Sequence, residues 1–242
     1  TTSYIIHKGN IYQADKYQEL SKKEQENAIY GSCMYIWQFS INDTVYYGRT
    51  WEELKEFIKL LDKIVPVRKI IFIHNLAFEF QFLKTQFQFE NVFARKSHKV
   101  IKCQMSDYNI ELRCSFMMSN CKLAVLPKVF NLPVEKKVGD LDYNKLRHSK
   151  TPLTDKELGY CEYDNLVVYY FIKMELETYD RVNLIPITST GHVRKELKEL
   201  IEKDWYYKGK VKKAINVDPH VYNLLIEAFA RWVYSLKLDL YR

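Results

Sequence analysis

From Cys33 onwards the hydrophobic and polar positions alternate between strand-like runs and helical stripes. "CMYIWQFSINDTVYYGRT" carries two apolar runs on either side of Asn42-Asp43, a turn pair, and predicts a β-hairpin. Thr50 then opens "WEELKEFIKLLDKI", where Glu53 completes a capping box and Leu54, Phe57, Ile58 and Leu61 make one apolar stripe. "RKIIFIHN" reads as a buried strand, and "LAFEFQFLKTQF" as the helix that follows it. The β-rich runs "HKVIKCQM" and "YNIELRCSFMM" are separated by a turn and predict a second hairpin. "LAVLPKVF" is a short helix with Pro127 in its first turn or at a kink. Thr154 and Glu157 form another capping box, from which a long helix runs to about Tyr179. "HVRKELKELIEKDWYYKGKVKK" is a shorter amphipathic helix with a basic exit, and "DPHVYNLLIEAFA" begins a further helix. The order hairpin, helix, strand, helix, hairpin, helix is that of a mixed α/β layer protein without internal repeats. Residues 1–32 are polar and weakly periodic, and read as a surface excursion with one helical stretch.

Composition narrows the function classes. The 47% of hydrophobic residues is enough for a packed core in a chain of 242 residues. With 19 Tyr and 13 Phe against 7 Gly, that core is built on rings. Neither G-x-G-x-x-G nor a Walker motif occurs, which removes the two commonest phosphate cradles. The formal charge of +7 favours a polyanionic partner without requiring one. Segment 194–213, with eight Lys or Arg against four acids, has two readings, a DNA contact and a solvated helix face. Five cysteines, an odd number without C-x-x-C spacing, read as reduced core thiols of a cytoplasmic protein. No apolar run approaches the ~18 residues of a membrane span, and no signal peptide opens the chain, so no membrane partner is expected.

Two places could carry chemistry. Tyr160 and Asp164 stand four apart on the long helix and project from one face, which Val168 and Phe171 continue towards the core. An acid near a helix start also suits the helix dipole, so a surface Tyr–Asp pair is the alternative. In "IFIHNLAFEF", Asn75 is suited to cap the following helix and Glu79 to its first turn, which is again a purely structural reading. Their combination adds something: two carboxylates brought together across an α/β sheet suit Mg²⁺, which takes one or two carboxylates plus water and substrate phosphate.

Four segments occur in the order of a known family. "HNLAFEFQFL" resembles the second exonuclease motif, and "YCEYD" the third, of protein-primed family B DNA polymerases of bacteriophages and related elements. "LPKVFNLPVEKKVGDLDYNKLRH" is similar to that family's segment before the third motif, and "DPHVYNLLIEAFA" to its lead-in to the polymerase domain. The resemblance implies an RNase H-like 3′–5′ proofreading exonuclease over 33–190, a helical lead-in over 191–230 and a divergent or frameshifted tail over 231–242. It implies that Glu79, in place of the family's Asp, and Asp164 bind metal, that Tyr160 orients the attacking water, and that Lys136 or Lys137 stabilises the phosphate. Asn75 and Phe78 would contact the 3′ end of a single DNA strand, the Phe by stacking. Leu123 and one of Thr1 and Thr2 would add strand contacts, and His74 either touches DNA or protein or is a satisfied junction histidine. The implied reaction is phosphodiester hydrolysis with two Mg²⁺ (or Mn²⁺) ions, and the implied partners are a single-stranded DNA 3′ end and a terminal-protein primer.

The family's first motif, Asp-x-Glu on the central strand, has no counterpart in this sequence, which opens "TTSYII". Asp155 and Glu157 also have that spacing, but belong to the capping turn of the long helix. The chain is therefore expected to lack the first central strand, to expose two sheet edges and to have little or no nuclease activity. The alternatives are a non-catalytic domain that binds single strands or a terminal protein, and a stand-alone 3′–5′ exonuclease.

Overall fold

A computed structural model describes residues 1–134, 141, 142, 145–203 and 227. The α/β layer reading holds, with three separate sheets among the described residues. The first is antiparallel and made by β1 (Thr2–His7), β2 (Asn10–Gln13) and β3 (Ile29–Cys33), in the order β2-β1-β3. Residues 1–32 thus depart from the surface excursion expected of them. Tyr4, Ile5, Ile6, Ile11 and Tyr12 are good strand formers, and Lys8-Gly9, both at positive φ, closes a two-residue turn. Lys at the first turn position hid that signal. The expected helical stretch is α1 (Lys22–Glu26), with a capping box from Ser21 to Glu24.

β4 (Trp37–Ile41) and β5 (Thr44–Gly48) form the first predicted hairpin, with Asn42 at φ 56° in its turn. α2 (Trp51–Ile64) starts at the Thr50–Glu53 capping box and lays Phe57 against Trp37, Phe39 and Tyr46. Gly48 lies opposite Trp37, and a Cβ there would stand 2.5 Å from the indole, so only glycine lets that ring pack down.

The third sheet is mixed. β6 (Lys69–Ile73) pairs in parallel with β9 (Ile110–Cys114), and β8 (Val100–Met105) pairs antiparallel with β9 and with β7 (Phe89–Ala94). β9 ends at Cys114, and "SFMM", read as strand, begins α4 (Ser115–Ser119) instead. Between β6 and β7 lies α3 (Leu76–Leu83), and after α4 comes α5 (Leu126–Phe130), with Pro127 in its first turn. Leu76, Cys103, Ile110 and Leu112 are central to the larger core, and Val167 and Phe171 to a second one.

α6 (Asp155–Tyr179) packs against both β4 and β6 and so joins the second and third sheets. Among the described residues β4 bonds only to β5, and β6 only to β9. Their other edges flank a cavity of about 360 Å³, roofed by Leu54 and Ile58 of α2 and floored by Asn165 and Val168 of α6.

α7 (Ser189–Lys203) docks on this framework through His192. Its Nδ1 lies 3.0 Å from the Tyr179 hydroxyl and 3.6 Å from Oε2 of the buried Glu175. Burial pushes the Glu175 carboxyl up to about 7 from an ordinary 4.5. The unfolded chain therefore releases this proton first, and stability falls as pH rises from about 4.5 to about 7. Glu175→Gln is expected to flatten that part of the Tm–pH profile and to add roughly 1–3 kcal/mol at pH 8. An unchanged profile would exclude Glu175 as its source. His192, pulled below its ordinary value by burial, adds the opposite slope on the acid side in both proteins.

Candidate functional site

Local forces at the ends of α3 and α6 set the site. β6 runs into α3 through His74 and Asn75, and Asn75 adopts the left-handed conformation, φ 60° and ψ 48°. That differs from the expected side-chain cap: the Asn75 side chain makes no capping bond, and its carbonyl instead accepts the Phe78 N–H at 2.8 Å. Asn is among the few residues that tolerate this backbone. His74 is held at the junction by Ser115, with Nδ1 3.1 Å from the buried hydroxyl, and by an edge-on Phe116 ring. Its ring also lines the cavity between β4 and β6, so the contact reading and the junction reading both stand.

α6 is anchored at its first turn. The Thr154 N–H donates to Glu157 at 2.8 Å, completing the predicted capping box, and the buried Arg147 donates to the same carboxylate at 2.5 Å. The Thr154 backbone bond and the Arg147 guanidinium hold the Glu157 carboxyl down to about 2. Arg147 also binds the carbonyls of Asp142 and Lys145 and lies over the Tyr35 ring. Arg49 adds bonds to the carbonyls of Tyr35, His148 and Thr151. Together they fix the segment before α6 against the link between β3 and β4, and thereby set where Tyr160 and Asp164 stand.

Glu79 and Phe78 from α3 meet Tyr160, Cys161 and Asp164 from α6 around one cavity, which Thr1, Tyr35, Gln38 and Leu141 complete. Thr1, Glu79 and Asp164 also line the cavity between β4 and β6, and Leu123 lies on its far wall. Tyr160 is 4% exposed, which excludes the surface-pair reading of Tyr160 and Asp164. Phe78 is 47% exposed at the cavity mouth, edge-on to Phe82. Burial pushes the Glu79 carboxyl up from its ordinary value, against the opposing pull of the Thr1 amino group. Burial and the nearby Asp164 push the Cys161 thiol up as well. Two carboxylates and a phenol thus line one space.

The remaining expected residues lie elsewhere. Thr2 is buried in β1 and donates to the Lys145 carbonyl at 3.3 Å, so of the two threonines it is Thr1 that faces the cavity. Asn75 is exposed and lines neither cavity. Lys136 and Lys137 lie outside the described residues, as do the lead-in from 204 and the 231–242 tail apart from Glu227. Sequence reasoning missed Cys161 and Gln38. Cys161, three residues before Asp164, was accessible from helical spacing, whereas nothing local marks Gln38.

The five cysteines are free, three of them buried. Among the described residues no helix is long and apolar enough to cross a membrane.

No protein-family profile matches the chain, and no curated protein sequence matches it. Solved structures do. Phi29 DNA polymerase complexed with single-stranded DNA is similar over 74% of this chain and 33% of its own, with a TM-score of 0.55 at 16% identity. The same polymerase with primer-template DNA, as a post-translocation binary complex, is similar over 73% and 32%, with a TM-score of 0.55 at 16% identity. Its ternary complex with incoming nucleotide substrates gives 74% and 33%, with a TM-score of 0.54 at 15% identity. The chain thus shares its fold with part of that polymerase and spans about a third of its length.

Proposed function

We propose that this chain carries most of a 3′–5′ exonuclease domain of the protein-primed family B DNA polymerase type, on an RNase H-like plan, and receives the 3′ end of a single DNA strand between α3 and α6. One observation carries the reading: Phe78 and Glu79 share a cavity with Tyr160 and Asp164, although 85 residues separate the two acids. The fold shared with a DNA polymerase supports it. The terminal-protein primer is the partner that the resemblance implies for the polymerase as a whole.

Glu79 and Asp164 would hold Mg²⁺ or Mn²⁺, and as hard oxygen donors they are of the right type. Among the described residues, however, no group of three or more His, Cys, Asp or Glu side chains is placed to hold a metal ion. The pair would supply only part of a two-ion ligand set. Bound ions supply Lewis acidity at the attacked phosphate and the departing 3′ oxygen. In this reading the Tyr160 phenol orients water, Phe78 stacks on the terminal base, and Thr1 and Leu123 wall the strand. The partial ligand set also favours a second reading, a domain that binds single strands or a terminal protein without cutting them.

Strand binding is testable on the chain itself. A fluorescent single-stranded oligonucleotide with a free 3′ end is expected to bind. Phe78→Ala, at an exposed position, is expected to weaken binding by about tenfold, the lower part of the range for base–aromatic stacking. Equal affinity would remove the α3 face from the proposal.

A further inference from the structure

The turn between β7 and β8 presents a second charged surface. Residues 91–99 are all exposed, and Arg95, Lys96, His98 and Lys99 fall within five positions of one another. No acidic residue occurs between Glu90 and Asp107. The turn is tight: the Arg95 N–H donates to the Lys99 carbonyl at 3.1 Å, and the Lys99 N–H to the Lys96 carbonyl at 3.0 Å. Its cations are therefore held on a short framework. Beside them Phe93 is 50% exposed, which places an aromatic ring next to positive charge, the combination that suits a single nucleic-acid strand. Register shifts on either side of Phe93, with Asn91 at φ 49°, kink this edge strand and make it a poor template for pairing with another polypeptide strand.

Sheet register fixes where the turn lies. β6 and β9 are parallel, so His74 and Ser115, which follow them, share one end of the sheet. β8 is antiparallel to β9 with Lys102 opposite Arg113, so the start of β8 and the turn before it lie at that same end. β8 and β7 stand two and three strand spacings from β6, roughly 10–14 Å. That is about three or four stacked nucleotides at ~3.4 Å each.

We infer that the 95–99 turn is a phosphate-contact surface for the strand whose 3′ end enters the α3–α6 cavity, engaging its backbone three or four nucleotides upstream. The inference rests on the strand-binding reading proposed above. Arg95→Gln/Lys96→Gln/Lys99→Gln tests it on the full chain, with oligonucleotides of about three and about twelve nucleotides and a salt titration, next to Phe78→Ala. Affinity for the longer strand is expected to fall about tenfold or more at low salt, and its log–log salt slope to shrink by about 2, from ~0.7 per contact. Affinity for the short strand is expected to stay the same, while Phe78→Ala weakens both. An unchanged salt slope for the longer strand, with Phe78→Ala still weakening binding, overturns the inference and leaves the site reading standing. Equal losses for both lengths also overturn it, because the turn would then act as undirected charge. Loss only in the triple variant, with Phe78→Ala silent, overturns the site reading.

Discussion

A version of the chain extended ahead of Thr1 by a strand carrying Asp-x-Glu is expected to shorten a 3′ single strand in Mg²⁺, whereas residues 1–242 alone are expected not to. Two ions that activate an attacking water and a leaving oxygen need more carboxylates than Glu79 and Asp164 provide. Thr1 lines the same cavity as both acids, so residues joined to it would enter that space. In the extended protein Asp164→Ala should lower digestion by more than about a hundredfold, since even groups that only orient a metal's ligands are worth ten- to a hundredfold. An extension with Ala-x-Ala in place of the two acids should not cut, which separates the chemistry from the added strand. Mg²⁺-dependent digestion by residues 1–242 would sink the partial-ligand argument and favour a stand-alone nuclease.

The same extension, in its acidic or its Ala-x-Ala form, is expected to raise the melting temperature by roughly 10–20 °C. In the β1–β3 ladder Thr2 pairs with Cys33 and Ser3 with Ser32. Carried on in that register, residues added ahead of Thr1 would run past Tyr35 towards the edge of β4 that is unpaired among the described residues, with that of β6 on the other side. Ile36, Phe39, Ile71, Ile73 and Leu112 line the space they would fill. Two or three apolar side chains buried there contribute about 1.5–3 kcal/mol each. In a domain of this size each kcal/mol moves Tm by roughly 2–4 °C. Residues 1–242 alone, with the edges of β4 and β6 unpaired among the described residues, are expected to melt lower and more broadly. A sharp, reversible transition of residues 1–242 at the temperature of the extended protein would contradict this.

Periodicity and capping chemistry made much of this fold legible. Thr50 and Thr154 start their helices where the capping boxes predict, and α6 ends at Tyr179. The β1–β2 hairpin was obscured because Lys8 occupies a turn position where Asn or Asp is the usual signal. β9 stops where Ser115 turns inward to meet His74, a tertiary contact that strand propensity cannot express. Spacing suggested that Tyr160 and Asp164 share a face, and burial of Tyr160 turned that from a surface pair into a cavity wall. That Glu79 and Asp164 line one cavity is different in kind: nothing local links positions 85 residues apart, and the motif resemblance made it an expectation. The backbone of Asn75 was not foreseen, since Asn suits both a cap and a left-handed turn.

The layout of the sheets also bears on how the protein is made. Each sheet draws its strands from one contiguous stretch, within residues 2–33, 37–48 and 69–114, so each can assemble from local pairings. α6 packs against strands of both the second and the third, and it comes later in the chain. On a translating ribosome Glu79 is therefore presented well before Asp164 emerges, and the α6 side of the cavity between β4 and β6 stays open until α6 docks. The wall that would hold a DNA end in the proposed reading forms only once α6 has been made, and a pause in translation before codon 155 leaves a nascent chain dependent on chaperones.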